Sequence, residues 1–188
     1  VGNSTSGKDF EREVEKINTR LHEAGRARVV SVPDPINVLR REGAKIIGHR
    51  DTRREVDFVG TLANGRSVAF EAKVCSHDRY FPLNRLEARK NDEAPTQLEI
   101  LADHALYGAL SFVLVRRYWD TDKPFPQWQT FTYPVSSDGV VAGITSRRSI
   151  PWADSDRYRL QTRETWLDRI AQVYDLEEIA RARARNHS

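Results

Sequence analysis

Two β-rich runs constrain this chain most: Val56-Asp57-Phe58-Val59-Gly60 and Ser67-Val68-Ala69-Phe70-Glu71-Ala72-Lys73-Val74, joined by a connection holding Asn64-Gly65. Branched and aromatic residues on either side of an Asn-Gly pair predict a β-hairpin. Charged residues stand inside both runs. Glu71 and Lys73 are two apart, so they share one face of their strand, and the hairpin is expected to bring Asp57 to the same place. Two carboxylates held together in an apolar setting need compensation from a bound cation, an ion pair or hydrogen bonds. A divalent metal serves, and hard oxygen ligands favour Mg²⁺ or Mn²⁺. An Asp followed by Glu-x-Lys is by itself short and common, and a plain cross-strand Glu–Lys pair accounts for most instances. Here both acidic positions interrupt apolar runs, where an unpaired charge would be an error in an ordinary core.

The rest of the chain reads as one domain of 188 residues. Phe10, Val14, Ile17 and Leu21 fall at helical spacing and predict an amphipathic helix from Ser4 to near Gly25. Ala27 to Val32 reads as a strand stopped by Pro33-Asp34-Pro35. The basic, weakly periodic stretch Asn37 to Arg54 reads as a strand edge or a loop. Pro95 to Tyr107 predicts a short helix, and Gly108 to Val115, a mostly apolar run flanked by charge, a buried strand. Past Arg117 the chain turns aromatic and proline-rich. A further strand is expected over Thr130 to Val135, and a last helix from about Thr162 to Ala184 carries Leu167, Ile170, Val173, Tyr174 and Ile179. No repeat, linker or domain boundary interrupts it. The core is expected over about 7–117, with an extension over 118–188.

Charge leaves the partner open. Lys and Arg total 30 against 27 Asp and Glu, a net charge of +3 with a pI of about 9.1. That balance permits a nucleic-acid partner without requiring one, because clustering of basic residues matters more than their sum. At 39% hydrophobic residues the chain has enough apolar material to fold. No apolar run approaches the roughly 18 to 20 residues of a membrane span, so no membrane partner is expected. The small polar N-terminal residues and the lone Cys75 lead to the expectation of a cytoplasmic, reducing setting without disulfides.

Several motifs together are more specific. Asp57-Phe58-Val59-Gly60, Phe70-Glu71-Ala72-Lys73, Phe81-Pro82-Leu83 and Gln97 at a helix start resemble the PD-(D/E)xK nuclease core of RecU-type Holliday junction resolvases. Gly7-Lys8-Asp9-Phe10-Glu11, Asn18 and the Pro33-Asp34-Pro35 turn resemble the opening of that family, so the likeness spans roughly Gly7 to Val115. It implies an α/β, restriction-endonuclease-like core: a central mixed β-sheet flanked by helices. The activity it implies is that of a metal-dependent, structure-specific endonuclease that resolves four-way DNA junctions by paired symmetric nicks. A two-fold substrate implies a homodimer. The resemblance assigns Asp57, Glu71 and the main-chain carbonyl of Ala72 to a Mg²⁺ or Mn²⁺ ion. Lys73 is assigned to the attacking water or the phosphorane charge, Gln97 to positioning, and Glu11 to an outer metal contact. For Glu11, a solvated helix carboxylate is an equal reading.

This chain differs from the family pattern in places. Arg53-Arg54-Glu55-Val56 replaces a Ser/Thr-rich approach to the aspartate, and Ile36 to Arg54 is short for the family's stalk-like protrusion. Thr96 stands where a His usually precedes the helix Gln, and Leu86 to Ala94 lengthens the approach. For DNA, the expected phosphate contacts are Lys8, Arg53, Arg54, Arg79, Arg85 and Lys90, with His77 and Arg89 nearby. The arginine-rich tail, Arg181 to Arg185, binds DNA or balances a helix dipole. His49, His77 and His104 lack metal-ligand spacing, and Trp119, Trp128 and Trp152 read as packing residues. Two other functions stay open: a restriction-type or repair endonuclease of the same fold on duplex or branched DNA, and a non-catalytic DNA-binding module in which Asp57, Glu71 and Lys73 are a buried ion network.

Overall fold

The computed structural model describes residues 3–33, 36–42, 45–50, 56–87, 95–119, 127–142, 148–161 and 164–174, the backbone alone over 3–6 and 36–50. Helix α1 (Asn3–Glu23) buries Phe10, Val14 and Leu21 on one face, as their spacing predicts. Gly25, at φ 66°, ends it in the left-handed conformation that glycine tolerates. Strand β1 (Ala27–Ser31) follows. Strands β2 (Ile36–Glu42) and β3 (Lys45–Arg50) then pair antiparallel with each other as a separate two-stranded sheet. The stretch read as a strand edge or a loop thus holds two strands, each an edge of this small sheet, and its last residues, 51–54, lie outside the described ones. A register shift between Val38 and Arg40 breaks the strict alternation by which a strand is recognised.

The expected hairpin is formed by β4 (Phe58–Leu62) and β5 (Ser67–Cys75). Its turn is closed by the Gly65 N–H on the Leu62 carbonyl at 2.9 Å, with Gly65 at φ 84°. After it come β6 (Tyr80–Pro82), the single turn α2 (Asn84–Glu87), α3 (Gln97–Leu106), β7 (Leu110–Trp119), β8 (Gln127–Pro134) and β9 (Ser149–Pro151). Two short 3₁₀ turns and helix α4 (166–174) complete the described chain. The last helix thus starts at Trp166, later than expected; its predicted continuation and the arginine tail lie outside the described residues. Strand β7 runs past Val115 to Trp119 because β8 pairs with it along that whole length.

Five strands make the central sheet in the order β1-β4-β5-β7-β8, with β5 and β7 parallel and the other neighbours antiparallel. This is the expected mixed sheet flanked by helices. A parallel pair requires a crossover, which β6, α2 and α3 supply. The alternation of β5 divides the core. Val68, Phe70 and Ala72 join Phe58 and Phe112 under α1 and α4. Ala69 and Cys75 join Val113, Val115, Phe131 and Tyr133 on the other face, where Leu101 of α3 packs. Asn18 fastens the first helix to the last, its Oδ1 accepting from the Trp166 indole at 2.9 Å. Strands β1 and β4 lie so close at Gly60 that a Cβ there would stand 2.2 Å from the Arg28 carbonyl oxygen. No helix among the described residues is long and apolar enough to cross a membrane.

Candidate active site

The last registered pair of β4 and β5 is Phe58 with Phe70, so Asp57 and Glu71 are the next opposed residues. Beyond that point β5 continues beside β7 alone, as far as Cys75 opposite Arg117. Main-chain groups of β5 on the β4 side are thereby released from the ladder, and the Ala72 N–H donates to Asp57 Oδ2 at 3.0 Å. The N–H and C=O of a strand residue lie along the same edge. Main-chain carbonyl and aspartate therefore share one edge of β5.

Glu71 is fully buried. Its Oε2 accepts from Lys73 Nζ at 2.6 Å and from Gln97 Nε2 at 2.8 Å, while Lys73 Nζ lies 3.9 Å from Asp57 Oδ2. Glu71 Oε1 is buried with no hydrogen-bond partner. Burial pushes the Glu71 carboxyl up from 4.5 to about 8; Lys73 opposes the rise and the neighbouring Asp57 charge adds to it. One ammonium faces two carboxyl groups, and below about pH 8 the proton that burial holds on Glu71 balances the set. The unpartnered oxygen and the hard donors fit a divalent cation held by Asp57, Glu71 and the Ala72 carbonyl, which would take the place of that proton. Among the described residues no group of three or more His, Cys, Asp or Glu that could hold a metal ion is found.

Gln97 is placed by its helix. Thr96 caps α3: its side chain accepts from the Glu99 N–H at 3.0 Å, and Glu99 Oε2 accepts from the Thr96 N–H at 2.7 Å. This reciprocal box fixes the first turn, so Gln97, the first helical residue, is aimed at Glu71. The spacing Thr96-x-x-Glu99 announces that cap in the sequence, a signal hidden when Thr96 is read only as the replacement of a His.

Asp57, Glu71, Lys73 and Gln97 are thus brought together. Glu11 sits half-buried on α1, one residue from the buried Phe10, on the helix covering the opposite face of the sheet. Lys8 is exposed on the same helix. Arg79 and Arg85 are exposed beyond the end of β5, where Arg85 Nη1 donates to the Val74 carbonyl at 2.7 Å. Arg53, Arg54, Arg89 and Lys90 lie outside the described residues, and so does the side chain of His49. The tryptophans do not form one patch: Trp152 is buried, whereas Trp128 is 51% exposed.

Sequence reasoning did not find Trp152 and Arg117. Both reach the loop after β5 from 75 and 39 residues away, Trp152 Nε1 donating to the His77 carbonyl at 2.7 Å and Arg117 Nη2 to that of Asp78 at 2.8 Å. No local pattern reveals contacts of that separation.

Among solved structures, the chain is similar to Hjc, a Holliday junction resolvase from the archaeal hyperthermophile Archaeoglobus fulgidus, at 17% identity and a TM-score of 0.40, over 82% of this chain and 95% of that one. No curated protein matches. The family model described as Recombination protein U matches residues 5–126, which include the hairpin, its carboxylates, Lys73 and Gln97. The chain belongs to the Recombination protein U family.

Proposed function

We propose that the chain is a nuclease with a PD-(D/E)xK site that hydrolyses phosphodiesters in four-way DNA junctions, acting as a homodimer so that one active site serves each of two symmetry-related strands. Membership of a recombination family supports a nuclease acting on DNA. The observation that carries the chemical reading is the pair Asp57 and Glu71, served by Lys73 and Gln97, with the buried Glu71 Oε1 left without a partner.

A divalent ion, Mg²⁺ or Mn²⁺, held by Asp57, Glu71 and the Ala72 carbonyl would supply Lewis acidity at the scissile phosphate and at the attacking water. The protein's own groups do the rest. Asp57, tied to the Ala72 N–H, stays fixed at the strand edge. Gln97 holds Glu71 Oε2 and so orients the carboxylate with Oε1 free. Lys73 Nζ lies between the two acids and offsets charge that develops on the phosphorane oxygens. The water oxygen bonds to phosphorus while the bond from phosphorus to the leaving deoxyribose oxygen breaks. The water gives up one proton, and the leaving oxygen takes one. Lys8, Arg53, Arg54, Arg79, Arg85 and Lys90 are the cations proposed to hold the backbone.

Incubation with Mg²⁺ or Mn²⁺ and labelled four-way junction, linear duplex and flap substrates tests this reading. Paired symmetric nicks in the junction are expected. Efficient cutting of plain duplex would replace the reading with a restriction-type enzyme, and DNA binding without any cutting would leave a non-catalytic module.

A further inference from the structure

Lys73 and Cys75 lie on one face of β5, and after Cys75 the chain makes a loop, 76–79, before β6. Three carbonyls of this loop, those of His77, Asp78 and Arg79, meet donors inside the molecule. The His77 oxygen accepts from Trp152 Nε1 at 2.7 Å, the Asp78 oxygen from Arg117 Nη2 at 2.8 Å and the Arg79 oxygen from the Trp152 N–H at 3.0 Å. The Tyr80 oxygen faces the buried Cys75 thiol at 3.9 Å, and the same sulfur accepts the His77 N–H at 3.5 Å. Behind the loop, β9 pairs with β6 and carries Trp152 to it. Arg117 has its guanidinium 5.1 Å from the Trp152 ring.

Outward-facing carbonyls would repel a phosphate; these three are turned inward to their donors. The loop borders a cleft of about 700 Å³ lined by Ser76, His77, Arg79, Tyr80 and Arg85, with Asp78 the one carboxylate among the described residues that line it. His77 lies against Tyr80, ring centroids 3.8 Å apart and tilted by 33°, and its Nδ1 accepts from the Arg79 N–H at 3.3 Å. Two strand residues advance roughly 7 Å. At about 3.4 Å of helix axis per nucleotide, a DNA strand crossing the catalytic edge reaches this cleft within about two nucleotides.

We propose that this cleft is a second phosphate site, which binds a non-scissile phosphodiester of the strand being cut through Arg79 and Arg85, and that Trp152 and Arg117 are positioning residues that hold its loop in shape. The proposal rests on the nuclease reading above and locates its substrate strand. Among the described residues Arg85 donates one guanidinium N–H, to the Val74 carbonyl, which leaves four for a phosphate.

The test measures junction affinity against salt in a Lys73→Ala background with Mg²⁺, so that the strands stay intact. Arg79→Ala is expected to weaken binding about tenfold and to lower the salt slope by about one, with Arg79→Lys restoring the slope. In the otherwise native protein, Trp152→Phe keeps a ring but loses the donor to His77; assayed below its lowered unfolding temperature, it is expected to raise KM about threefold or more with a smaller change in kcat. Unchanged affinity and slope in Arg79→Ala, while the native protein still cuts junctions, would overturn the second site and leave the nuclease reading standing. A loss of affinity with the slope intact would also overturn it, since the lost contact would not be to a phosphate. A Trp152→Phe protein whose KM is native would remove Trp152 from the role assigned to it. A native protein that binds and cuts no DNA would remove the nuclease reading itself.

Discussion

Glu71 meets conflicting demands. Its Oε2 is shared by an ammonium and an amide, its Oε1 has no partner, and burial holds its proton on to about pH 8. A group in that position costs stability unless a cation arrives. Replacing it by the uncharged isostere is therefore expected to stabilise the metal-free protein. Glu71→Gln should raise the unfolding temperature by about 2–4 °C near pH 8 in a chelator, for roughly 1 kcal/mol, and should abolish the further rise that Mg²⁺ gives the native chain. Scanning calorimetry with and without Mg²⁺ measures both. Lys73 stands on the other side of the balance. Lys73→Ala should lower cleavage by about 10²–10³-fold while junction affinity changes by no more than about threefold, as read from single-turnover rates and a binding titration. These residues were legible because charge inside an alternating apolar run is a local anomaly. Gln97 was legible only through the family likeness, since nothing in its own neighbourhood distinguishes it from a surface glutamine.

At the scale of elements, two helix starts do different work. The box of Thr96 and Glu99 holds the turn that carries Gln97. Thr96→Ala should cost about 1 kcal/mol of stability and, by loosening Gln97, lower kcat about fivefold with KM little changed; Thr96→Ser should restore both. At α4 the corresponding device is Thr165 with Asp168, whose Oδ2 accepts from both the N–H and the hydroxyl of Thr165, while Oδ1 accepts from Arg26 at 2.6 Å. Burial works against that carboxylate, but the Thr165 and Arg26 hydrogen bonds outweigh it and hold Asp168 down from 3.8 to about 2. A carboxylate lowered on folding contributes stability above its unfolded value and loses it as pH falls towards the folded one. The native chain should lose about 1 kcal/mol of stability between pH 3.8 and about 2 through this group, and Asp168→Asn should flatten that step in an acid unfolding series. Long elements were readable in advance: α1 from its stripe, the β4–β5 hairpin from its turn, β7 from its apolar run. Strands β6 and β9 have three residues each, too few for a period to show, and the bulge in β2 conceals a hairpin whose ends are otherwise basic and polar.

For the whole molecule, the region past Arg117 is part of the central structure. Strand β8 completes the sheet, its Phe131 and Tyr133 lie in the core beside Phe81 and Val113, and Trp152 braces the loop that follows the candidate catalytic strand. A chain ended at Arg117 would leave that face of β7 open to water. It should lack a cooperative unfolding transition by circular dichroism, where the full chain shows one. The parallel pairing of β5 with β7 has a further consequence, in the order of assembly. Asp57, Glu71 and Lys73 lie within one local hairpin, a structure that forms in microseconds, whereas Val68 meets Leu110 only after the intervening crossover has folded. Until then Glu71 is an ordinary solvated acid and Gln97 is elsewhere. The carboxylates proposed to hold a metal are thus adjacent early, but the burial and the Gln97 contact that set Glu71 apart arrive last, so on the proposed function a half-made chain released beside DNA would carry the ligands of a nuclease without its power to cut.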